Sequence, residues 1–136
     1  MTLPPMLLDT DTLSAIMRKH PVALTRAQAY LAAHEQFTFS IITRYEVLRG
    51  LKAKNATTQL AVFERFCAVN QVLALTDEVI TRAAEIYAEL YQRGALIGDG
   101  DILIAASALV HGLALVTNNR DHFERIKGLA LENWLK

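Results

Sequence analysis

A chain of 136 residues with 52% hydrophobic content is long enough to bury one sizeable core, which excludes disordered and fibrous classes and points to a single domain over residues 1–136. Its 14 basic and 14 acidic residues cancel, so net charge alone names no partner. The lone Cys67 forms no internal disulfide, no apolar run reaches the ~18 residues of a membrane span, and residues 1–8 lack a signal-peptide pattern, so a cytoplasmic chain with no membrane partner is expected.

Taken in order, the apolar run Leu3 to Leu8 is interrupted by Pro4 and Pro5, so a first strand begins near Met6 and ends at Asp9. Asp9-Thr10-Asp11-Thr12 is turn and cap chemistry. Leu13, Ile16 and Met17 then give a short helix that His20-Pro21 breaks, and a second helix is expected from about Val22 to Ala33. Phe37 to Ile42 is β-branched and aromatic enough for a second strand, followed at Thr43-Arg44-Tyr45-Glu46 by a helix running to about Lys54. Thr43 and Glu46 also have the spacing of a capping box, in which each side chain satisfies a backbone N–H of the other residue. The spacing alone leaves both readings open.

A helix over about Gln59–Val69 and a short strand at Val72–Leu75 come next. Thr76-Asp77-Glu78 starts an amphipathic helix with Val79, Ile80, Ala83, Ile86, Tyr87 and Leu90 inward, ended by Gly94. After the Ala95-Leu96-Ile97 run, Gly98-Asp99-Gly100-Asp101 leads into a long apolar helix that ends at Gly112. Leu113–Val116 is a wholly apolar strand of the kind found in covered parallel sheets. Thr117-Asn118-Asn119-Arg120-Asp121 forms a polar loop and helix start, and Leu129–Trp134 reads as a last edge strand. Tyr45, Phe123 and Trp134 are assigned to the core. Strands alternating with helices give an α/β class.

Asp101 stands at the top of the stripe Ile104, Ala105 and Ala108, so its carboxylate faces the protein, where an uncompensated charge costs several kcal/mol. A cation is the simplest remedy; the other reading is that Asp99 or Asp101 serves only as the N-cap of this helix. In parallel sheets, sites form beyond the carboxyl ends of the strands. Asp9, Glu46, Asp99 with Asp101, and Asn119 with Asp121 each follow an apolar segment, which brings them to one edge. Carboxylates with few nitrogen ligands suit Mg²⁺ or Mn²⁺. If the five acids share a pocket, the remaining surface is basic. That is the charge pattern of a metal-dependent enzyme acting on a polyanion, with Arg44, Arg49, Lys52, Arg120 and Arg125 as candidates for substrate contact.

Five segments in order, Leu7-Leu8-Asp9-Thr10-Asp11, Ile42 to Gly50, Asp101 to Ala106, Thr117-Asn118-Asn119 and Leu131-Glu132-Asn133-Trp134, make the chain resemble the PIN-domain ribonucleases. Within them it is similar to the VapC-like toxins of toxin–antitoxin pairs. The resemblance spans essentially the whole chain and implies a PIN-like three-layer sandwich, with a short, mostly parallel central sheet flanked by helices. It implies an endoribonuclease using Mg²⁺ (or Mn²⁺), with RNA as substrate, a cognate antitoxin and a homodimer. By resemblance Asp9, Glu46 and Asp101 are the core acids and metal ligands. The fourth acidic position falls at Asn119, with Asp121 two residues on as a further catalytic candidate; Thr10, Thr43 and Asn119 are supporting groups, and Asp99, which has no fixed counterpart in the family, is a candidate supporting group or substitute ligand. The apolar residues Leu13, Ile16, Leu24 and Leu31 exceed what a small core absorbs, which also suggests a homodimer.

Two other classes fit parts of the pattern. Leu8-Asp9-Thr10-Asp11 and Gly98-Asp99-Gly100-Asp101 are similar to two motifs of haloacid-dehalogenase-like phosphatases, in which one Asp is a nucleophile. Leu13 stands where that family has Thr or Val, and no phosphate-binding Lys precedes Gly98. A catalytically inactive PIN-like or receiver-like binding module would use the acids only structurally and show no Mg²⁺-dependent turnover.

Overall fold

The computed structural model describes residues 3–136. Five strands, β1 (Met6–Leu8), β2 (Thr38–Ser40), β3 (Gln71–Leu73), β4 (Ala114–Val116) and β5 (Leu131–Glu132), form one parallel sheet in the order β3-β2-β1-β4-β5. Parallel neighbours need crossovers. Helices α1 (Thr10–Met17), α2 (Pro21–His34), α3 (Ile41–Ala53), α4 (Thr57–Val69), α5 (Asp77–Gln92), α6 (Asp99–Val110) and α7 (Arg120–Phe123) lie in the connections.

Strand alternation sorts the core into two halves. Met6, Leu8, Phe39 and Val116 join one apolar cluster with Leu13, Ala23, Tyr30, Val47, Phe63 and Trp134. Leu7 and Leu115, on the opposite pleat, join another with Val79, Ile86, Leu90, Ile104, Ala105 and Phe123. The sheet is therefore the middle of three layers. Each fully buried Leu, Val or Phe contributes about 1.5 to 3 kcal/mol, so the inner strands are fixed from both faces.

Local chemistry sets the boundaries. Pro21 occupies the first turn of α2, and Thr76 caps α5 by accepting from the Val79 N–H. The φ of +66° at Gly94 and Gly112, just beyond α5 and α6, is a left-handed conformation open to glycine at little cost.

The second strand is shorter than the sequence suggests. Ser40 side-chain oxygen accepts from the Ile42 N–H at 3.0 Å, which caps α3 there and starts the helix at Ile41. Thr43 consequently lies inside α3 and forms no capping box with Glu46. The Ala95-Leu96-Ile97 run is no strand but a loop whose carbonyls at Ala95 and Leu96 accept from Arg125.

The buried stripe of α5 is Val79, Ala83, Ile86 and Leu90, while Ile80 and Tyr87 face outward. Leu13 and Ile16 are buried, and Leu31 packs against the same cluster. The core thus takes up Leu13, Ile16 and Leu31, and of the four apolar residues expected at a dimer contact Leu24 alone stays half-buried outside it. Among the described residues no helix is long and apolar enough to cross a membrane.

Candidate active site

The loop after β1 sets the first carboxylate. Asp9 is only 5% exposed and caps α1, its Oδ1 accepting from the Thr12 N–H at 2.8 Å. Burial pushes the Asp9 carboxyl above its ordinary value, while hydrogen bonds from Thr117 and Thr12 pull it back. The same Asp9 is therefore both a helix cap and a carboxylate confined at the sheet edge.

Glu46 comes from the second turn of α3. The Thr10 hydroxyl lies 2.5 Å from Glu46 Oε1 and 3.1 Å from the Thr43 hydroxyl. A hydroxyl has one proton and a carboxylate only accepts, so Thr10 donates to Glu46 and the fully buried Thr43 donates to Thr10. Two threonines thus aim one acid.

Helix α6 approaches the other oxygen. A Cβ on Gly100 would stand 2.9 Å from Glu46 Oε2, so the absence of a side chain there makes room for the carboxylate. Asp101, one residue on, is a third exposed on its side chain and stands above the buried Ile104, Ala105 and Ala108. Asp99 is exposed on the outer side of the same first turn. Both acids are favourable beside a helix N-terminus, yet only Asp101 borders the cleft.

The cleft holds about 240 Å³ and is lined by the acids Asp9, Asp11, Glu46 and Asp101, with Thr10, Asn119 and Arg49 at its sides and Ile104 and Phe123 beneath. Asp11, read from sequence as turn chemistry, is thus part of the wall. Asn119 lies there because its N–H bonds the Thr117 hydroxyl at 2.9 Å in the turn after β4. Asp121 is exposed and outside the lining, and its backbone carbonyl accepts from Arg125.

His122 also borders the site, though no sequence motif singles it out. Its Nδ1 lies 3.2 Å from Asp101 Oδ2 and 2.8 Å from the Asn119 side-chain nitrogen. A protonated Nδ1 donates to Asp101 and then meets the Asn119 amide through its oxygen; an unprotonated one accepts from Asn119 and leaves Asp101 free. His122 therefore couples the acid of α6 to the turn after β4. Nothing in its local sequence signals this, since the contact spans 21 residues.

Among the basic candidates, Arg49 alone lines the cleft, 3.9 Å from Glu46 Oε2. Arg44 is paired with Glu64, which with Cys67 raises its pKa. Arg125 is tied to three backbone carbonyls. Lys52 and Arg120 are exposed and outside the lining.

An all-oxygen set of carboxylates with one amide beside them fits a hard divalent cation by donor chemistry. Among the described residues no three His, Cys, Asp or Glu side chains stand close enough to clasp one ion. The acids line a common cleft without closing on a common centre.

The PIN domain family model matches residues 6–129. Ribonuclease VapC2 of Rickettsia felis is 31% identical over 96% of this chain and 98% of that protein. The chain belongs to the PIN-domain family, among the VapC ribonucleases. The tRNA(fMet)-specific endonuclease VapC of Salmonella typhimurium is 32% identical over 94% of this chain and 96% of that protein. The crystal structure of DNA-bound VapBC from Salmonella typhimurium superposes with a TM-score of 0.84 at 31% identity, covering 97% of this chain and 99% of that one. The fold is thus the PIN-like α/β sandwich, and the enzyme class is a nuclease. This assignment overturns the phosphatase alternative. PIN-domain nucleases are in general metal-dependent, in keeping with the oxygen donors of the cleft.

Proposed function

We propose that this chain, folded as one domain, is an endoribonuclease that cleaves RNA phosphodiester bonds with Mg²⁺ or Mn²⁺, and is the toxin of a toxin–antitoxin pair. The observation that carries the reading is the convergence of Asp9, Glu46, Asp101 and Asn119 on one cleft at the carboxyl edge of the parallel sheet, in a chain of the VapC group. Asp9, Glu46 and Asp101, which line the cleft without closing on one centre, would hold the ion. When bound, the ion supplies positive charge to the scissile phosphate and acidifies water.

The chain's own residues do the rest. Thr10, steadied by Thr43, fixes the direction of Glu46, and His122 does the same for Asp101 when its Nδ1 carries the proton. Arg49 offers the cleft its one guanidinium, placed to meet a phosphate oxygen. Asp99 and Asp121, outside the lining, are left out of the ligand set.

The Salmonella relative's name makes tRNA the first substrate to try, and the solved VapBC complexes make an antitoxin protein the expected partner. An acidic cleft is a ready receptor for an inserted Arg or Lys. A homodimer working in the cytoplasm completes the reading. Total RNA digested with the purified protein in Mg²⁺, Mn²⁺ or chelator, followed by sequencing of new ends, tests it. Discrete ends that need the metal are expected; RNA left intact under every condition overturns it.

A further inference from the structure

Tyr45 precedes Glu46 on α3, and instead of joining the core it is 57% exposed. The guanidinium carbon of Arg49 sits 5.2 Å from its ring centroid. Lys52 is exposed three residues further on, so Tyr45, Arg49 and Lys52 form a stripe at i, i+4 and i+7 along one side of the helix. Arg49 belongs at once to this stripe and to the cleft wall beside Glu46. The stripe therefore continues the acidic cleft outward as an aromatic and basic lip.

We infer that this lip is a nucleotide subsite, in which the base next to the scissile phosphate stacks on the open face of Tyr45 while Arg49 and Lys52 meet the flanking backbone. The inference rests on the nuclease reading and adds to it the contact that holds a single-stranded substrate. A tyrosine ring has two faces. The guanidinium covers one, which fixes the ring and adds positive charge beside it, and a base needs only the other. Stacking of this kind tolerates any base and requires a strand whose bases are free of a helix.

Other exposed aromatics do not share this setting. Tyr87 and Tyr91 lie on α5 and stack on each other with centroids 6.1 Å apart, and neither lines the cleft. Arg44, next to Tyr45 in sequence, is turned to Glu64.

The test is a double comparison on a single-stranded oligoribonucleotide spanning a cut mapped in the RNA digest, with and without an abasic residue on either side of the cut. Tyr45→Ala should raise KM about 5- to 150-fold, the range of one base–aromatic stack, with kcat little changed. Tyr45→Phe should restore KM, and Tyr91→Ala should behave as wild type. One abasic position should raise KM for the wild type and have no further effect on Tyr45→Ala. An unchanged KM in Tyr45→Ala, or abasic effects of equal size in both proteins, overturns the subsite. So does a Tyr45→Ala protein that cuts normally but binds the antitoxin weakly, which would make the lip a protein contact. If no RNA is cut under any metal condition, the nuclease reading itself fails, and this inference with it.

Discussion

The Thr10 hydroxyl stands 2.5 Å from Glu46 Oε1, joining the first residue of α1 to α3 across 36 positions of sequence. An acid on a helix has several rotamers, and this bond selects one of them, with Thr43 closing the chain from below. Such outer contacts govern metal affinity as well as direction. Thr10→Val keeps the shape and removes the donor. It should raise the metal concentration for half-maximal RNA cleavage about 10- to 100-fold, with the melting temperature shifted by only a few degrees.

Gly100 isolates geometry from stability. Its added Cβ comes too close only to the carboxylate end of Glu46, with Ile42 Cγ2 at an ordinary 3.9 Å; that carboxylate is a flexible group that moves aside at little cost to the fold, and alanine is the better helix former by up to about 1 kcal/mol. Gly100→Ala should therefore melt no lower than wild type while losing about 10- to 100-fold in kcat, as expected for a displaced catalytic group. Gly98→Ala, with nothing within 4 Å of its Cβ, is the control and should retain activity.

Asp9 gives a pH signature. Because burial raises its carboxyl above 3.8, the native state holds the proton more tightly than the unfolded chain does. The ionised side chain costs stability above the folded-state value, and that cost disappears as pH falls below 3.8. Asp9→Asn keeps the cap on the Thr12 N–H and removes the charge. In metal-free buffer at neutral pH it should unfold about 1 kcal/mol later than wild type, with the advantage shrinking on acidification, and it should not cleave RNA. A constant difference across pH would mean that the buried charge is not the cause.

Arg125 separates structure from substrate contact. Its guanidinium holds the carbonyls of Ala95, Leu96 and Asp121, strapping the loop that leads into α6. Arg125→Ala should lower stability by about 1 to 2 kcal/mol, read by denaturant midpoint, and leave KM for RNA within about twofold once folding is matched.

Much of this was legible in the sequence where one signal stood alone. The apolar runs at Met6–Leu8 and Ala114–Val116 have no polar alternation, so a covered parallel sheet followed, and with it the placing of Asp9 and Asn119 at one edge. Signals in competition were less readable. Ser40 and Thr43 are both good caps three residues apart, and the end of pairing with β3 at Ser40 decided for the first. On α5 the 79-83-86-90 stripe is buried, and Ile80 and Tyr87 fall one residue beyond it. Contacts made only by the tertiary fold, His122 with Asp101 and Gly100 with Glu46, have no local pattern to read.

The two acids that open α6 test the central claim most directly, because they differ in position by two residues and in placement by whether they border the cleft. Rates of metal-dependent RNA cleavage should be measured for Asp101→Ala and Asp99→Ala beside wild type, with folding checked by melting. Asp101→Ala should lose about 100-fold or more, beyond the range of outer-shell groups, and Asp99→Ala less than about 10-fold. Equal losses, or near-normal cleavage by Asp101→Ala, would contradict a site built on Asp9, Glu46 and Asp101.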